Sequence, residues 1–328
     1  MKAAIVPSKN GACFVKDVPA PEPGPSQVLL RIRASGVCYT DVHQTRGELP
    51  GPFPRTLGHE PVGEIVAVGD AVTTRKVGDR AGVPWVQATC GRCEWCLRGK
   101  PMFCAEAIGT SVQAAGGHAE YMLAHAEATV LLPDGLAFEQ AAPIFCAGYT
   151  VWSGLRWAAP QPGERVAVVG IGGLGHLGLQ FAKATGFHTI AISRSPDKDR
   201  LIRELGADEI VRDGQGLARA GGADVVLGTS NSSDAMADSI QGLRPDGRLV
   251  LMGLDTKRLP IAPTDLIHRR IRILGSQQNG REYLHEALAL AASGKVRVMT
   301  ETYRLEEIRK AYERVEKGSV GFRAVVTM

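Results

Sequence analysis

The chain has 328 residues, more than one hydrophobic core usually serves, so two domains are expected. Hydrophobic residues make up 44% and charged residues 22%, the composition of an ordinary globular protein. A net charge of +4 with no Lys/Arg block argues against a nucleic-acid or membrane partner, and no stretch approaches the ~18 apolar residues of a membrane span.

"MKAAIV" leads straight into an apolar run without the layout of a signal peptide, so a cytoplasmic location with reduced thiols is expected. "VLLRIRAS" alternates Val28, Leu30, Ile32 and Ala34, the pattern of a half-buried strand. "GVCYTDVH" follows with Cys38, Thr40, Asp41 and His43; "LGHEPVGEIVAVG" then brings His59 and Glu60 ahead of a second strand. Pro and Gly punctuate this whole region, as short strands joined by turns require.

"CGRCEWCLRGKPMFC" carries Cys90, Cys93, Cys96 and Cys104 at C-x2-C-x2-C-x7-C spacing. Seven cysteines, an odd number in a reducing compartment, favour metal ligation over a disulfide framework. The sharpest rival to zinc is iron–sulfur, because the bacterial ferredoxin run also begins C-x2-C-x2-C. Its fourth cysteine would fall at position 100, before Pro101, where this chain has Lys100, an ammonium that cannot bind iron. Four thiolates fill every tetrahedral position of zinc, so this lobe reads as a structural site.

"APIFCAGYT" adds Cys146. Cys38, His59 and Cys146 together make a Cys2His set that leaves zinc one open position, provided that the fold brings them together. Cys13 matches no motif and reads as a small core residue. Trp85, just ahead of the cysteine lobe, suits either a channel wall or simple packing.

"ERVAVVGIGGLGHLGLQFAKATGF" reads as strand, glycine turn and helix. Gly170, Gly172 and Gly175 supply G-x-G-x-x-G, with Gly173 and Leu174 inside the turn, so that backbone can approach a pyrophosphate at the helix N-terminus. Leu174, Leu177, Gly178, Phe181 and Ala182 recur on one helix face, and His176 is expected to face outward. Strand runs at "HTIAIS", "DEIV", "ADVVLG", "GRLVLMG" and "IRILG" complete six strands of a doubly wound parallel sheet over about residues 149–275. Where NAD-binding chains place a carboxylate, this one has Ser193, with Arg194 and Lys198 close behind, a set that favours the 2′-phosphate of NADP(H). The Ala- and Leu-rich "YLHEALALAASG" reads as a helix and the final "GFRAVVTM" as a strand returning to the first domain.

With "GHExxG", the four-cysteine lobe and "GIGGLG" in this order, the chain resembles the zinc-dependent alcohol dehydrogenases of the medium-chain dehydrogenase/reductase family over essentially its whole length, and in its cofactor loop the cinnamyl-alcohol-type branch. The resemblance implies an α/β fold, with a GroES-like β-barrel catalytic domain (1–148 and 276–328) interrupted by a Rossmann domain (149–275) and the active site between them. It implies a catalytic zinc on Cys38, His59 and Cys146 with Glu60 able to enter its shell, and a structural zinc on Cys90, Cys93, Cys96 and Cys104. Asp41 matches the carboxylate orienting the zinc imidazole, Thr40 and His43 match a proton relay running through the cofactor ribose, and Arg323 matches a cofactor-phosphate contact. Tyr39 departs from the His or Arg that many relatives carry for that phosphate. The implied activity is reversible hydride transfer between an alcohol and its aldehyde or ketone, in a homodimer or homotetramer. The rival reading is a non-catalytic zinc- and dinucleotide-binding redox sensor, which could dispense with Cys38, His59 or Cys146; all three are present.

Overall fold

A computed structural model describes Met1–Met328. The chain divides into two compact units, Met1–Cys146 with Val298–Met328, and Ala147–Arg297.

The first unit is organised around the eleven-residue strand Gln27–Val37. Val28, Leu30, Ile32 and Ala34 are all buried, as their alternation predicts. Glu60–Val68 lies antiparallel along most of its length. Tyr121–His125 pairs with its first half and Arg323–Thr327 with its second. Thr300–Arg304 extends one edge of the sheet, Arg80–Gly82 and Val130–Leu131 the other. Val28, Leu30, Ile32, Ile65, Val83 and Met122 pack into one cluster on its inner face. Each of these side chains contributes about 1.5–3 kcal/mol by leaving water. Cys13 packs against a neighbouring cluster around Val37 and Val326, where burial pushes its thiol up to about 12.

The second unit is a six-stranded sheet, parallel throughout, in the order Glu209–Val211, His188–Ile192, Arg165–Val169, Ala223–Gly228, Leu243–Leu251, Arg272–Gly275. The order reverses at Arg165–Val169, and in such sheets ligands bind at the carboxyl ends beside the reversal. The glycine turn sits there.

Two expectations are corrected. His176 does not face outward: it is fully buried, with Nδ1 3.2 Å from the Gly172 carbonyl oxygen. Its helix, Gly175–Ala184, lies between the sheet and a second helix, Ala147–Ala158, so it has little solvent face left. The second unit also runs beyond residue 275. Helix Arg281–Ala292 turns Leu284, Ala287, Leu288 and Ala291 inward and packs on Ala147–Ala158, where Trp152 Nε1 donates to Glu286 at 2.7 Å. The chain rejoins the first unit at Val298, and at the other boundary the first unit ends at Cys146. No helix is long and apolar enough to cross a membrane.

Candidate metal centres and dinucleotide site

Cys38 follows the central strand directly and caps helix Tyr39–Thr45; its N–H donates to Asp41 Oδ2 at 2.8 Å. His59 immediately precedes strand Glu60–Val68, whose register sets Glu60 opposite Gly36. A Cβ on Gly36 would fall 1.8 Å from Glu60 Oε2, so the glycine makes room for the carboxylate. Cys146 follows the short turn Ala142–Phe145. Three distant segments thus converge. The donor atoms of Cys38, His59, Glu60 and Cys146 all lie within 4.8 Å of one another, and the Cys38 and Cys146 sulfurs are 4.0 Å apart. A zinc tetrahedron with Zn–S near 2.3 Å has S···S edges of ~3.8 Å.

Both ring nitrogens of His59 and Glu60 Oε2 are buried without a hydrogen-bond partner. Orphaned buried polar atoms cost about 1–3 kcal/mol each, and a cation is one partner that could satisfy them. The Cys146 thiol beside it holds Cys38 well below its ordinary value, against burial, with His59 and Arg323 assisting. Burial pushes Asp41 upward, but His59 outweighs it and holds the carboxyl below its usual range. His59 Nδ1 lies 3.5 Å from Asp41 Oδ1, and the Trp85 ring meets the imidazole edge-on at 5.4 Å. Trp85 therefore packs against the imidazole itself.

Arg323 is buried beside this set, and its Nη2 donates to Glu60 Oε1. Glu60 and the two cysteines raise its pKa in spite of burial, so it remains a cation. The resemblance had matched Arg323 to a cofactor contact; the ion pair with Glu60 was not foreseen. Thr40 Oγ1 lies 3.6 Å from Cys38 Sγ. One turn on, His43 Nδ1 bonds Glu48 Oε2, and Tyr39 meets the His43 ring edge-on at 5.0 Å.

Cys90, Cys93, Cys96 and Cys104 form the second set, also within 4.8 Å of one another. Cys93 opens helix Glu94–Leu97, and the turn Pro101–Phe103 brings Cys104 back. Cys90 Sγ is 4.0 Å from Cys96 Sγ and 3.6 Å from Cys104 Sγ. Backbone N–H groups of Cys93 and Cys90 point at sulfurs, favouring thiolates. Lys100 is exposed beside the lobe.

In the second unit Gly170 leaves strand Arg165–Val169 with φ +91°, and a Cβ on Gly175 would fall 2.1 Å from the Gly170 carbonyl oxygen. A Cβ on Gly172 would meet nothing within 4 Å. Protein packing therefore explains the outer glycines, while the middle one, with Gly173 and Leu174 after it, leaves open a space that a pyrophosphate can use. Ser193 is buried at the end of the second strand, and its Oγ accepts from Ser195 N at 3.4 Å. Arg194 is exposed on the following loop, and Lys198 is exposed at the end of the 3-10 turn Pro196–Lys198. Arg212, unforeseen in the sequence, donates to the Ser193 carbonyl at 3.0 Å and to both carboxylate oxygens of Asp199.

His118 was also missed. It is buried in the first unit with Nε2 4.0 Å from Asp41 Oδ2, and burial lowers it to about 4, leaving it neutral. Its segment, "GGHAEY", carries no metal-ligand spacing that could have marked it.

Residues 24–134 match the family described as "Alcohol dehydrogenase GroES-like domain", and residues 173–293 that described as "Zinc-binding dehydrogenase". An alcohol dehydrogenase of Geobacillus stearothermophilus is 40% identical over 99% of both chains. The solved alcohol dehydrogenase of the archaeon Aeropyrum pernix has a TM-score of 0.91 at 33% identity, covering 100% of both chains. A cinnamyl alcohol dehydrogenase of Sorghum bicolor also has a TM-score of 0.91, at 28% identity over 99% of this chain and 97% of that one.

Proposed function

The chain belongs to the zinc-type alcohol dehydrogenases of the medium-chain dehydrogenase/reductase family, oxidoreductases acting on alcohols, and from that premise we propose that it interconverts an alcohol with its aldehyde or ketone using NADP(H). Zinc in the first unit would be held by Cys38, His59 and Cys146, with Glu60 in reserve, and a second zinc by the four cysteines of the lobe. The convergence of two sulfurs and an unpartnered imidazole in one buried cluster carries this reading. The first unit would serve catalysis and Ala147–Arg297 would hold the cofactor.

When bound, zinc would supply a Lewis acid, of the kind that lowers the pKa of water from about 16 to about 7 and would act comparably on an alcohol hydroxyl, and the nicotinamide would supply the hydride chemistry. Cys38 and Cys146 as thiolates offset the ion's charge, which suits exchange of neutral alcohol and carbonyl compounds. Asp41 fixes the tautomer of His59, leaving Nε2 for the metal. Thr40 Oγ1, 3.6 Å from Cys38 Sγ at the edge of the cluster, would take the hydroxyl proton of the substrate while giving up its own in the direction of His43. His43 releases it to solvent from Nε2, since Nδ1 is engaged by Glu48. A His43→Ala variant should oxidise alcohol slowly and recover with imidazole buffer; an unchanged pH–rate profile would remove His43 from the path.

Ser193 in place of a carboxylate, with unpaired Arg194 and Lys198 beside it, supports NADP(H) over NAD(H). Comparison of kcat/KM with the two cofactors tests this, and a strong NAD preference would defeat it. Seven free cysteines suit a reducing cytoplasm. The edge strand Arg272–Gly275, paired on one side only, suits assembly into dimers or tetramers, checked by mass in solution. The activity itself is tested by alcohol-dependent NADP reduction that chelation abolishes and zinc restores; turnover that survives metal removal would contradict it.

A further inference from the structure

Asp41 is a buried carboxylate, and an ionised carboxylate offers about four acceptor sites. Three donors face it. Cys38 N–H reaches Oδ2 at 2.8 Å, Gly58 N–H reaches Oδ1 at 3.2 Å, and His59 Nδ1 stands 3.5 Å from Oδ1. One side of Oδ2 remains, and there stands His118, with Nε2 4.0 Å away.

Two further observations bear on His118. Neither of its ring nitrogens has a hydrogen-bond partner, although the side chain is only 3% exposed. Gly58, which precedes the metal-facing histidine, has φ +98°, and a Cβ there would fall 2.6 Å from His118 Nδ1. The His118 backbone N would lie 2.7 Å from the same Cβ, so the glycine admits the whole His118 residue against the turn before His59. A phenyl ring would fill the same space without leaving two orphaned polar atoms, so packing alone gives no reason for histidine.

We propose that His118 is a positioning residue of the metal centre: as an Nε2–H imidazole it supplies a further hydrogen bond to Asp41, and through Asp41 it fixes the ring of His59. The metal-bound imidazole then has two layers of support, a carboxylate and a second imidazole behind it. The separation of 4.0 Å exceeds a hydrogen bond of 2.7–3.2 Å, so the proposal requires the His118 ring to turn toward Oδ2 when the centre holds its metal. Such support sets how tightly and in what geometry the metal is held. The proposal rests on Cys38, His59 and Cys146 being zinc ligands.

The experiment uses the zinc-loaded protein. Nitrogen-15 NMR of the imidazoles should show His118 as the Nε2–H tautomer, with a hydrogen-bonded ring proton that disappears in Asp41→Asn. His118→Phe should lose the zinc of this centre to a chelator about tenfold faster, the low end of the effect of removing outer support, with the four-cysteine zinc unaffected. With cobalt in the centre its absorption bands should shift in the Phe variant. His118→Gln, which can present an amide N–H where Nε2 lies, should recover most of both properties. A Phe variant with wild-type metal release and spectrum, or a His118 carrying its proton on Nδ1, would overturn the proposal. Protein that binds no metal at Cys38, His59 and Cys146 would instead overturn the ligand assignment beneath it. Should the Phe variant fail to fold, the tautomer measured in the unmodified protein still decides.

Discussion

Arg323→Met tests the buried ion pair beside the candidate metal centre. Glu60 is fully buried, Arg323 nearly so, and Glu60 Oε2 already lacks a partner. Methionine retains much of the apolar stem while removing the charge. The carboxylate is then left uncompensated, and breaking a buried pair in this way costs about 3–5 kcal/mol. For a unit of this size each kcal/mol moves Tm by about 2–4 °C, so a fall of about 6–20 °C is expected in calorimetry of the zinc-loaded protein. The double variant Glu60→Leu with Arg323→Met should lose less than Arg323→Met alone, because it leaves no buried charge behind. A Tm for Arg323→Met within about 1 °C of the parent would refute this reasoning, since it would mean that water or another cation already serves Glu60.

Gly172→Ala should leave unfolding unchanged, because the added Cβ meets no protein atom, yet raise the KM for the cofactor. Gly175→Ala should lower Tm, because its Cβ meets the Gly170 carbonyl at 2.1 Å; equal behaviour of the two variants would contradict the distinction. Burial pushes Glu301 upward, but the Gly321 N–H, the Tyr303 hydroxyl and Arg314 outweigh it and hold the carboxyl below its ordinary 4.5. A depressed folded-state pKa contributes stability that is complete above about pH 4.5 and lost as pH falls through the folded value. Glu301→Gln should therefore flatten the acid limb of stability against pH, and parallel limbs would count against it. Cys104→Ser should cost the lobe its zinc while the centre at Cys38 keeps its own, read by metal analysis.

What the sequence made legible was local. Alternation from Val28 to Ala34 marks the central strand because one face of it is buried, and the six strands of the second unit announce themselves as short apolar runs between turns. The side chains of the two candidate metal sets could be grouped in advance because cysteine and histidine are few and their spacing is chemical, and the fold does cluster each group. Partners far apart in the chain were not legible: Glu60 and Arg323 are 263 positions apart, and nothing in "GFRAVV" states that its arginine meets a carboxylate. His118 lies in a segment without a motif, and only the fold sets it behind Asp41. The periodicity of Gly175–Ala184 shows its sheet-facing stripe but not the helix Ala147–Ala158 that covers His176. Similarly, the apolar stripe of Arg281–Ala292 shows that it packs without showing on which unit.

Cys38, His59 and Cys146 are proposed to hold a catalytic ion distinct from the one in the cysteine lobe. Metal analysis of the purified protein beside a Cys146→Ala variant tests this most directly. About two zinc ions per chain should fall to about one, with alcohol turnover lost and the overall fold retained by circular dichroism. A variant that keeps both ions, or that continues to oxidise alcohol at the parental rate, would contradict the account.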